Sequence, residues 1–270
     1  DEKIVTDTTN VDAYAPREIA RRVETSGVAK AHLGTMPTLL LGVLAGAFIA
    51  LGAVFYEVVI TNSGLGFGPE RLLGGMAFSL GLVLVIIGGA ELFTGNSLIV
   101  FAWCDRKIKT ASLLRNWVLV YLGNFLGASI MALAVHWSGI HNLSDGAVGA
   151  TAMRVAEGKM ALAPMEAFVR GILCNVLVCL AVWLCFAARS VVSKIVAIVF
   201  PVSAFVALGF EHSVANMYLI PAGWLAGSEV INAAGYGMNL LVVTCGNVIG
   251  GGVLVGGVYW LIYRENRPLN

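Results

Sequence analysis

Two hydrophobic segments of this chain are interrupted by polar clusters whose side chains could handle a proton or an anion. The first cluster, residues 91–96, contains Thr94, and the second, residues 210–216, contains His212. Charged side chains and unpaired backbone groups are costly in a bilayer, so such clusters are expected only where protein or a polar cavity surrounds them. Two of them at matching places in one chain indicate the path of a solute across a membrane.

His212 is the only histidine in the interior of a hydrophobic run. Its imidazole titrates near neutral pH, so it could give a proton to a weak-acid anion or withhold one. The alternative is a ring that hydrogen-bonds backbone freed by the interruption. Thr94 occupies the other cluster, where its hydroxyl could hold the imidazole in one tautomer or cap the half-helix that follows.

Three charged residues accompany the interruptions. Lys159 precedes the fourth hydrophobic run, where it could attract anions to a vestibule or be an ordinary solvated loop lysine. Glu91 and Glu211 stand beside the two interruptions. Because carboxylates would repel an anion, we expect both to have structural roles, facing freed backbone N–H groups or half-helix N-termini.

Further candidates are uncharged. Asn175 and Asn216 could coordinate an anion without trapping it, although packing between helices is the alternative for both. Phe78, Leu82 and Phe205 lie close in sequence to the interruptions. They could form constrictions that exclude hydrated ions, or they could simply fill the core.

The composition is that of a membrane protein. Of the 270 residues, 58% are hydrophobic and 12% charged, and the mean hydropathy is +0.84, which excludes an ordinary soluble domain. A net charge of +1 gives no argument for nucleic acid as a partner. The five cysteines show no CxxC or Cys/His spacing, so we predict neither a metal site nor a cofactor.

Six runs reach the roughly 20 apolar residues that a spanning helix needs. They cover about 38–60, 72–103, 113–138, 165–187, 191–227 and 239–263. The second and fifth are the interrupted ones, and their length fits two half-helices joined by an unwound turn. The sequence thus predicts an all-α membrane protein with six transmembrane helices, of which helices 2 and 5 are broken.

The flanking segments complete the predicted organisation. Residues 1–37 are expected to form a cytoplasmic N-terminal segment that contains an amphipathic helix at about 14–30, with Ile19, Ala20 and Val23 facing the protein. Residues 38–264 are expected to form the channel domain, and residues 265–270 a cytoplasmic tail.

The basic residues predict the orientation. The two termini and the loops between runs two and three and between runs four and five together hold thirteen of the seventeen Lys and Arg residues. The opposite side has four: Arg71, Arg154, Lys159 and Arg170. By the positive-inside rule, both termini should be cytoplasmic.

The two halves of the chain resemble each other, over about 38–138 and 165–263. Glu91 and Glu211 are 120 residues apart, and the asparagines of two Gly-Asn-x-x-Gly motifs, Asn124 and Asn247, are 123 apart. Three spans per half is an odd number, so the second half must enter the membrane from the opposite side, as an inverted repeat. Gly-Asn-x-x-Gly is also common where helices pack closely, but order, spacing and interruptions agree with a duplication.

These motifs resemble the formate/nitrite transporter family. The resemblance rests on Glu-Leu-Phe-Thr-Gly at 91–95, Gly-Phe-Glu-His-Ser-Val-Ala-Asn-Met at 209–217 and Gly-Asn-x-x-Gly at 123–127 and 246–250. It covers the chain from about residue 14 to residue 264. The histidine-containing motif is specific, whereas Gly-Asn-x-x-Gly alone would be weak.

The resemblance implies a homopentamer of aquaporin-like six-helix protomers, each with its own pore, in the plasma (inner) membrane. It also implies roles for individual residues. These are a central histidine and its hydrogen-bond partner (His212, Thr94), polar pore residues (Asn175, Asn216, Lys159), constrictions (Phe78, Leu82, Phe205) and residues of the helix-break loops (Glu91, Leu92, Phe93, Gly95, Glu211).

The leading functional hypothesis is a passive or proton-linked channel for small monovalent anions, with formate first and nitrite second. Hydrosulfide and lactate stay open because the motif does not separate them. A neutral-solute pore is a second hypothesis, but the chain lacks the paired Asn-Pro-Ala motifs of an aquaporin. A membrane enzyme is a third, and no Ser/His/Asp grouping or phosphate-binding loop supports it, so we predict that the chain is not an enzyme.

The expected mechanism removes the charge of the anion. A bare anion that enters a dry constriction loses hydration free energy of roughly several kcal/mol. Protonation of the anion at His212 would avoid most of that loss. Burial disfavours a resting imidazolium. We therefore expect proton transfer at the moment when the anion binds, with anions, protons and membrane lipid as the partners of the chain.

Overall fold

Helices make up all of the regular structure between residues 12 and 264, the part of the chain that the computed structural model describes. The predicted tail at 265–270 and the first eleven residues of the predicted N-terminal segment lie outside the described residues. In chain order the elements are α1 (Pro16–His32), α2 (Thr35–Ile60), α3 (Phe67–Gly88), a 3₁₀ turn (Gly95–Ile99), α4 (Val100–Cys104), α5 (Thr110–Trp137), a 3₁₀ turn (Ile140–Asn142), α6 (Ala147–Met160), α7 (Pro164–Ala187), α8 (Val191–Ala207), α9 (Ser213–Leu225), α10 (Ala233–Val248), a π-helix (Ile249–Gly257) and α11 (Val258–Tyr263).

In the described part of the chain, five helical segments are long and apolar enough to cross a membrane: α2, α3, α5, α7 and the continuous stretch Ala233–Tyr263. The surface of α5 shows why they suit a bilayer. Leu114, Val118, Leu122 and Leu126 recur every four residues, and each is between 48% and 57% exposed. Such a stripe would be unusual in water but matches lipid or a neighbouring subunit. The prediction of an all-helical membrane protein is confirmed.

The chain leaves helical geometry inside both interrupted segments. After α3, residues 89–94 form no helix before the 3₁₀ turn, and after α8, residues 208–212 form none before α9. Gly89 and Gly209 have φ angles of +78° and +70°. This left-handed conformation is strained for residues with a Cβ. It lets Gly89 N–H return to Val85 O and Gly209 N–H to Val206 O, closing each half-helix.

The first break is closed by the asparagine of the Gly-Asn motif on α5. Asn124 Nδ2 donates to Gly42 O at 2.8 Å and to Glu91 O at 2.9 Å, and its Oδ1 accepts from Phe93 N at 2.9 Å. A Cβ on Gly123 would lie 2.7 Å from Leu39 O, so only glycine permits this approach of α5 to α2. The motif therefore supplies hydrogen bonds to backbone that lipid could not satisfy.

The second break has the same contacts. Asn247 Nδ2 donates to Gly171 O at 2.7 Å and to Glu211 O at 2.9 Å, and its Oδ1 accepts from Ser213 N at 2.9 Å. A Cβ on Gly246 would lie 2.4 Å from Phe168 O. The two Gly-Asn motifs thus make equivalent hydrogen bonds at the two breaks. Close packing of helices alone would not require this equivalence.

Two short helices flank the long ones. In α1, Ile19, Ala20 and Val23 are buried, as the amphipathic pattern predicts. The other, α6, was not predicted, because the connection before the fourth span was expected to be a loop. The signal was present as Val148, with Ala152 and Ala156 following at four-residue spacing, all three buried. Consequently Lys159 lies in the last turn of a helix rather than in a loop.

Candidate functional site

His212 lies at the junction of the second break and α9, where it uses both ring nitrogens. Nδ1 accepts a hydrogen bond from Ala215 N at 3.0 Å and so caps the first turn of α9. Nε2 lies 2.8 Å from Thr94 Oγ1. The ring is 2% exposed. The bond to freed backbone, one of the two alternatives drawn from the sequence, is therefore present, and the ring also meets the threonine of the other break. Proton exchange with an anion stays a prediction.

This geometry assigns the tautomer. Because Nδ1 accepts a proton from Ala215 N–H, it carries none itself, so in the neutral ring the proton is on Nε2 and points to Thr94 Oγ1. A second proton, on Nδ1, would face the Ala215 N–H donor to donor. An imidazolium at His212 therefore requires that the cap of α9 be broken.

Thr94 is completely buried, and its hydroxyl makes no side-chain bond to the 3₁₀ turn that follows. Of the two uses that the sequence left open, the structure has the contact with the imidazole. With Nε2–H donating to Oγ1, the hydroxyl proton of Thr94 remains available to a third group.

Two cavities approach this pair from opposite sides. The proximal vestibule, beside α1, has a volume of 250 Å³ and is lined by residues that include Lys30, Leu82, Leu92, Gly95 and Lys194. The distal vestibule, beside α6, has a volume of 310 Å³ and is lined by residues that include Phe78, Lys159, Phe205 and His212. The sequence candidates for constrictions are thus divided between the two vestibules.

Aromatic rings pack around the imidazole and the first break. The Phe205 ring stacks on His212 with centroids 5.9 Å apart, and the Phe78 ring meets Phe205 edge to face at 5.8 Å. At the first break, the Phe93 ring packs edge to face on Tyr121 at 4.9 Å. Phe93 is 4% exposed and is therefore a core residue of the break loop.

Glu91 lies in an ion-pair network rather than against freed N–H groups, which corrects the sequence expectation. Lys30 Nζ is 2.8 Å from Glu91 Oε1 and 2.9 Å from Asn96 Oδ1. Asn96 Nδ2 donates to Glu91 Oε2 at 2.6 Å and to Asn116 Oδ1 at 3.0 Å. A lysine ammonium and an amide, not backbone, therefore satisfy this buried carboxylate.

Glu211 departs from expectation in the same way. Lys159 Nζ lies 2.9 Å from Glu211 Oε1, and the two side chains are 15% and 4% exposed. Asn216 Nδ2 donates to Glu211 Oε2 at 2.7 Å and to Asn239 Oδ1 at 2.9 Å. Lys159 does line the distal vestibule, but its charge is largely offset by Glu211.

Asn175 and Asn216 are fully buried, and neither is among the residues that line the two vestibules. Asn175 Nδ2 donates to Thr94 O at 3.2 Å, Ser97 Oγ at 3.1 Å and Asn247 O at 2.6 Å. Asn175 thus joins the first break to the backbone of α10 at Asn247, the residue whose side chain bonds the second break. For both asparagines the contacts match the packing alternative rather than coordination of an anion.

Two arginines that were not predicted as site residues act at the second break. Arg71 donates through Nε to Ala207 O, and Arg170 donates through Nη1 to Gly209 O at 3.1 Å. They cap the C-terminal end of α8, whose free carbonyls carry a partial negative charge. Both belong to the four basic residues predicted on the side opposite the termini. The scarcity of basic residues on that side was the sequence signal that could have identified them. Within residues 12–264, no group of three or more His, Cys, Asp and Glu side chains could hold a metal ion.

Comparison with known proteins identifies the family. The sequence model of the formate/nitrite transporters matches residues 17–261. The formate channel FocA of Escherichia coli (strain K12) is 41% identical over 275 residues, covering 94% of this chain and 96% of that protein. FocA of Haemophilus influenzae is 37% identical over 263 residues, covering 90% and 93%.

Solved structures agree. A structure described as a pentameric formate channel with formate bound superimposes with a TM-score of 0.77 at 38% identity, covering 86% of this chain and 98% of that one. An FNT family ion channel superimposes with a TM-score of 0.84 at 31% identity, covering 91% and 98%. The resemblance drawn from the motifs is confirmed, and the chain belongs to the formate/nitrite transporter family.

Proposed function

We propose that this protein is a channel for small monovalent anions of weak acids, with formate as the first candidate and nitrite as the second. The observation that carries the proposal is the 2.8 Å contact between His212 Nε2 and Thr94 Oγ1, which joins the two helix breaks between two vestibules. The relatives named as formate channels support formate as the first candidate. Family and fold support a transporter rather than an enzyme.

The proposed mechanism neutralises the anion beside His212. A proton can enter the ring at Nδ1 only when Nδ1 releases Ala215 N–H. The charged ring then passes the Nε2 proton to Thr94 Oγ1 while the hydroxyl proton of Thr94 moves to the anion. The ring is left neutral with its proton on Nδ1, and the acid has no charge.

The neutral acid then meets apolar walls. Phe78 and Phe205 border the distal vestibule and Leu82 borders the proximal one, and all three are less than 5% exposed. A hydrated anion would lose its water shell there, at a large cost in free energy. A neutral acid loses much less hydration free energy when it enters an apolar gap. Proton uptake is thereby linked to passage of the acid through the channel, in either direction across the membrane.

The proposal is tested with His212→Asn in proteoliposomes. Asparagine is itself a good N-cap residue, so α9 should still begin at the same place. The variant should keep the fold and some anion conductance but lose proton coupling and the pH dependence of formate uptake. The measurement is formate and proton uptake as a function of pH.

The matched control is His32→Asn, since His32 is exposed at the end of α1 and, among residues 12–264, its ring bonds only Val28 O of its own helix. An unchanged pH profile in His212→Asn would make the histidine structural. Water flux in the same vesicles without formate or nitrite flux would favour a neutral-solute pore instead.

The assembly and topology belong to the same proposal. The breaks and their repeated contacts support six spans in two inverted three-helix repeats, with helices 2 and 5 broken. The solved pentameric relative supports a homopentamer with a pore in each protomer. The charge bias supports cytoplasmic termini in the plasma (inner) membrane, with residues 38–264 as the channel domain.

A further inference from the structure

The four basic residues that the sequence assigns to the side opposite the termini all meet in one place. Arg71, Arg154, Lys159 and Arg170 come from α3, α6 and α7, and each lines the distal vestibule. Basic residues are scarce on this side of the chain. Their convergence on a single 310 Å³ cavity therefore concentrates the positive charge of that side at one opening.

Three of the four cations already have partners. Lys159 is paired with Glu211 at 2.9 Å, and Arg170 is paired with Glu166 at 2.5 Å. Arg71 donates to the carbonyls at the end of α8. Their N–H donors are largely occupied by these partners. These three cations therefore add to the positive electrostatic potential of the vestibule but have few N–H groups left to bind an anion.

Arg154 differs from the other three. It is exposed, it lines the distal vestibule, and among residues 12–264 it makes no hydrogen bond or ion pair. The remaining carboxylate of the lining, Glu70, accepts instead from Ser63 Oγ at 2.5 Å. Arg154 thus presents a guanidinium with all its donors free at the entrance to the path that ends at His212.

We propose that the distal vestibule contains a second anion site, in which Arg154 docks a small planar oxyanion before it reaches His212. This inference rests on the proposed function for its substrate class. The planar fork of a guanidinium matches the two oxygens of a carboxylate or of nitrite. At about 30 Å³ per water molecule, the cavity has room for a small anion with several waters, so docking does not require full dehydration.

The first test is the dependence of uptake on concentration and salt. Arg154→Gln should raise the half-saturating formate concentration about three- to tenfold at low ionic strength, for anion supplied on the distal side, with the saturated rate unchanged. At about 0.5 M salt the difference should shrink, because exposed charges are then screened within a few ångströms. The control is Lys109→Gln, which removes the same charge from an exposed residue before α5 that lines neither vestibule and should leave distal half-saturation unchanged.

The second test does not depend on transport. Phenylglyoxal modifies accessible arginines, and peptide mass spectrometry measures the rate at Arg154. Formate should slow that rate at least about threefold relative to chloride at equal ionic strength, because a planar oxyanion occupies the fork. Arg115, which donates to Leu33 O and Thr35 Oγ1 on another face, serves as the internal control.

The outcomes separate this inference from the proposed function. Two results would overturn the second site without affecting the proposed channel function. One is formate flux through the wild-type protein with no protection of Arg154 by formate, and the other is an equal half-saturating concentration in the wild type and in Arg154→Gln. Protection of Arg154 in a protein that moves no formate would support the site and overturn the channel for formate. A lower saturated rate with unchanged half-saturation would also count against a docking role.

Discussion

The two ring nitrogens of His212 make different contacts. Its Nδ1 holds the start of α9 and its Nε2 meets Thr94. The sequence identifies the residue but does not show that capping and contact occur together. The capping bond makes the resting ring neutral for a geometric reason, because a donor already faces Nδ1.

Glu57 is a buried acidic residue that was not among the candidates predicted from the sequence. It is fully buried in α2, where Oε2 accepts from Tyr218 Oη of α9 at 3.1 Å. Its other oxygen, Oε1, has no hydrogen-bond partner within the described chain. Since a buried carboxyl group needs its few contacts, this pair is a sensitive point for stability.

Tyr218→Phe should destabilise the protein by about 1–3 kcal/mol, because it leaves Glu57 with no donor. The double variant Glu57→Leu/Tyr218→Phe should recover most of that loss, since two apolar groups then replace the polar pair. The measurement is thermal unfolding in a mild detergent. Tyr121→Phe is the control, because the Tyr121 hydroxyl lies 3.1 Å from the Thr244 hydroxyl in a partly buried contact and its loss should have a smaller effect. A double variant less stable than Tyr218→Phe would contradict the role given to this pair.

At the level of helices, the sequence predicted the long elements well because their apolar length is a strong signal. The first predicted span, about 38–60, corresponds to α2 at Thr35–Ile60, and the fourth, 165–187, to α7 at Pro164–Ala187. Interruptions were predicted at residues 91–96 and 210–216, and the chain leaves helical geometry at residues 89–94 and 208–212, about two residues earlier at the start of each. A polar cluster inside an apolar run marks such a break because lipid cannot satisfy its hydrogen bonds.

The features that were not predicted have separate physical causes. Helix α6 has a weak pattern made of alanines, whose burial adds little to a hydrophobic signal. The π-helix at Ile249–Gly257 lies inside an apolar run that reads like any other helix. The partners of Glu91 and Glu211 are lysines 61 and 52 residues away along the chain. Spacing along a sequence does not show such contacts, because packing of whole helices brings them together.

The orientation of the whole molecule is a prediction from loop charges. With cytoplasmic termini, residue 107 faces the cytoplasm and residue 145 faces the other side. Single cysteines at these positions, in a background without other reactive cysteines, should react with an impermeant reagent from opposite faces of sealed vesicles. Labelling of both from the same face would refute the proposed six-span topology.

The oligomer is predicted from the pentameric relative and from the apolar stripe on α5. A detergent-solubilised particle should have the mass of five chains of 28.4 kDa after subtraction of the detergent. Native mass spectrometry across several mild detergents is the measurement. A stable monomer or trimer in all of them would overturn the pentamer.

The repeated contacts at the two breaks have a consequence for how the protein enters a membrane. Asn124 and Asn247 make the same set of bonds, and Lys30 and Lys159 meet equivalent glutamates. In the proposed inverted arrangement, the core would present the same set of contacts in either orientation in the membrane. The proposal then predicts that the core contributes little to the choice of orientation during insertion and that the Lys and Arg residues of the loops and termini determine it.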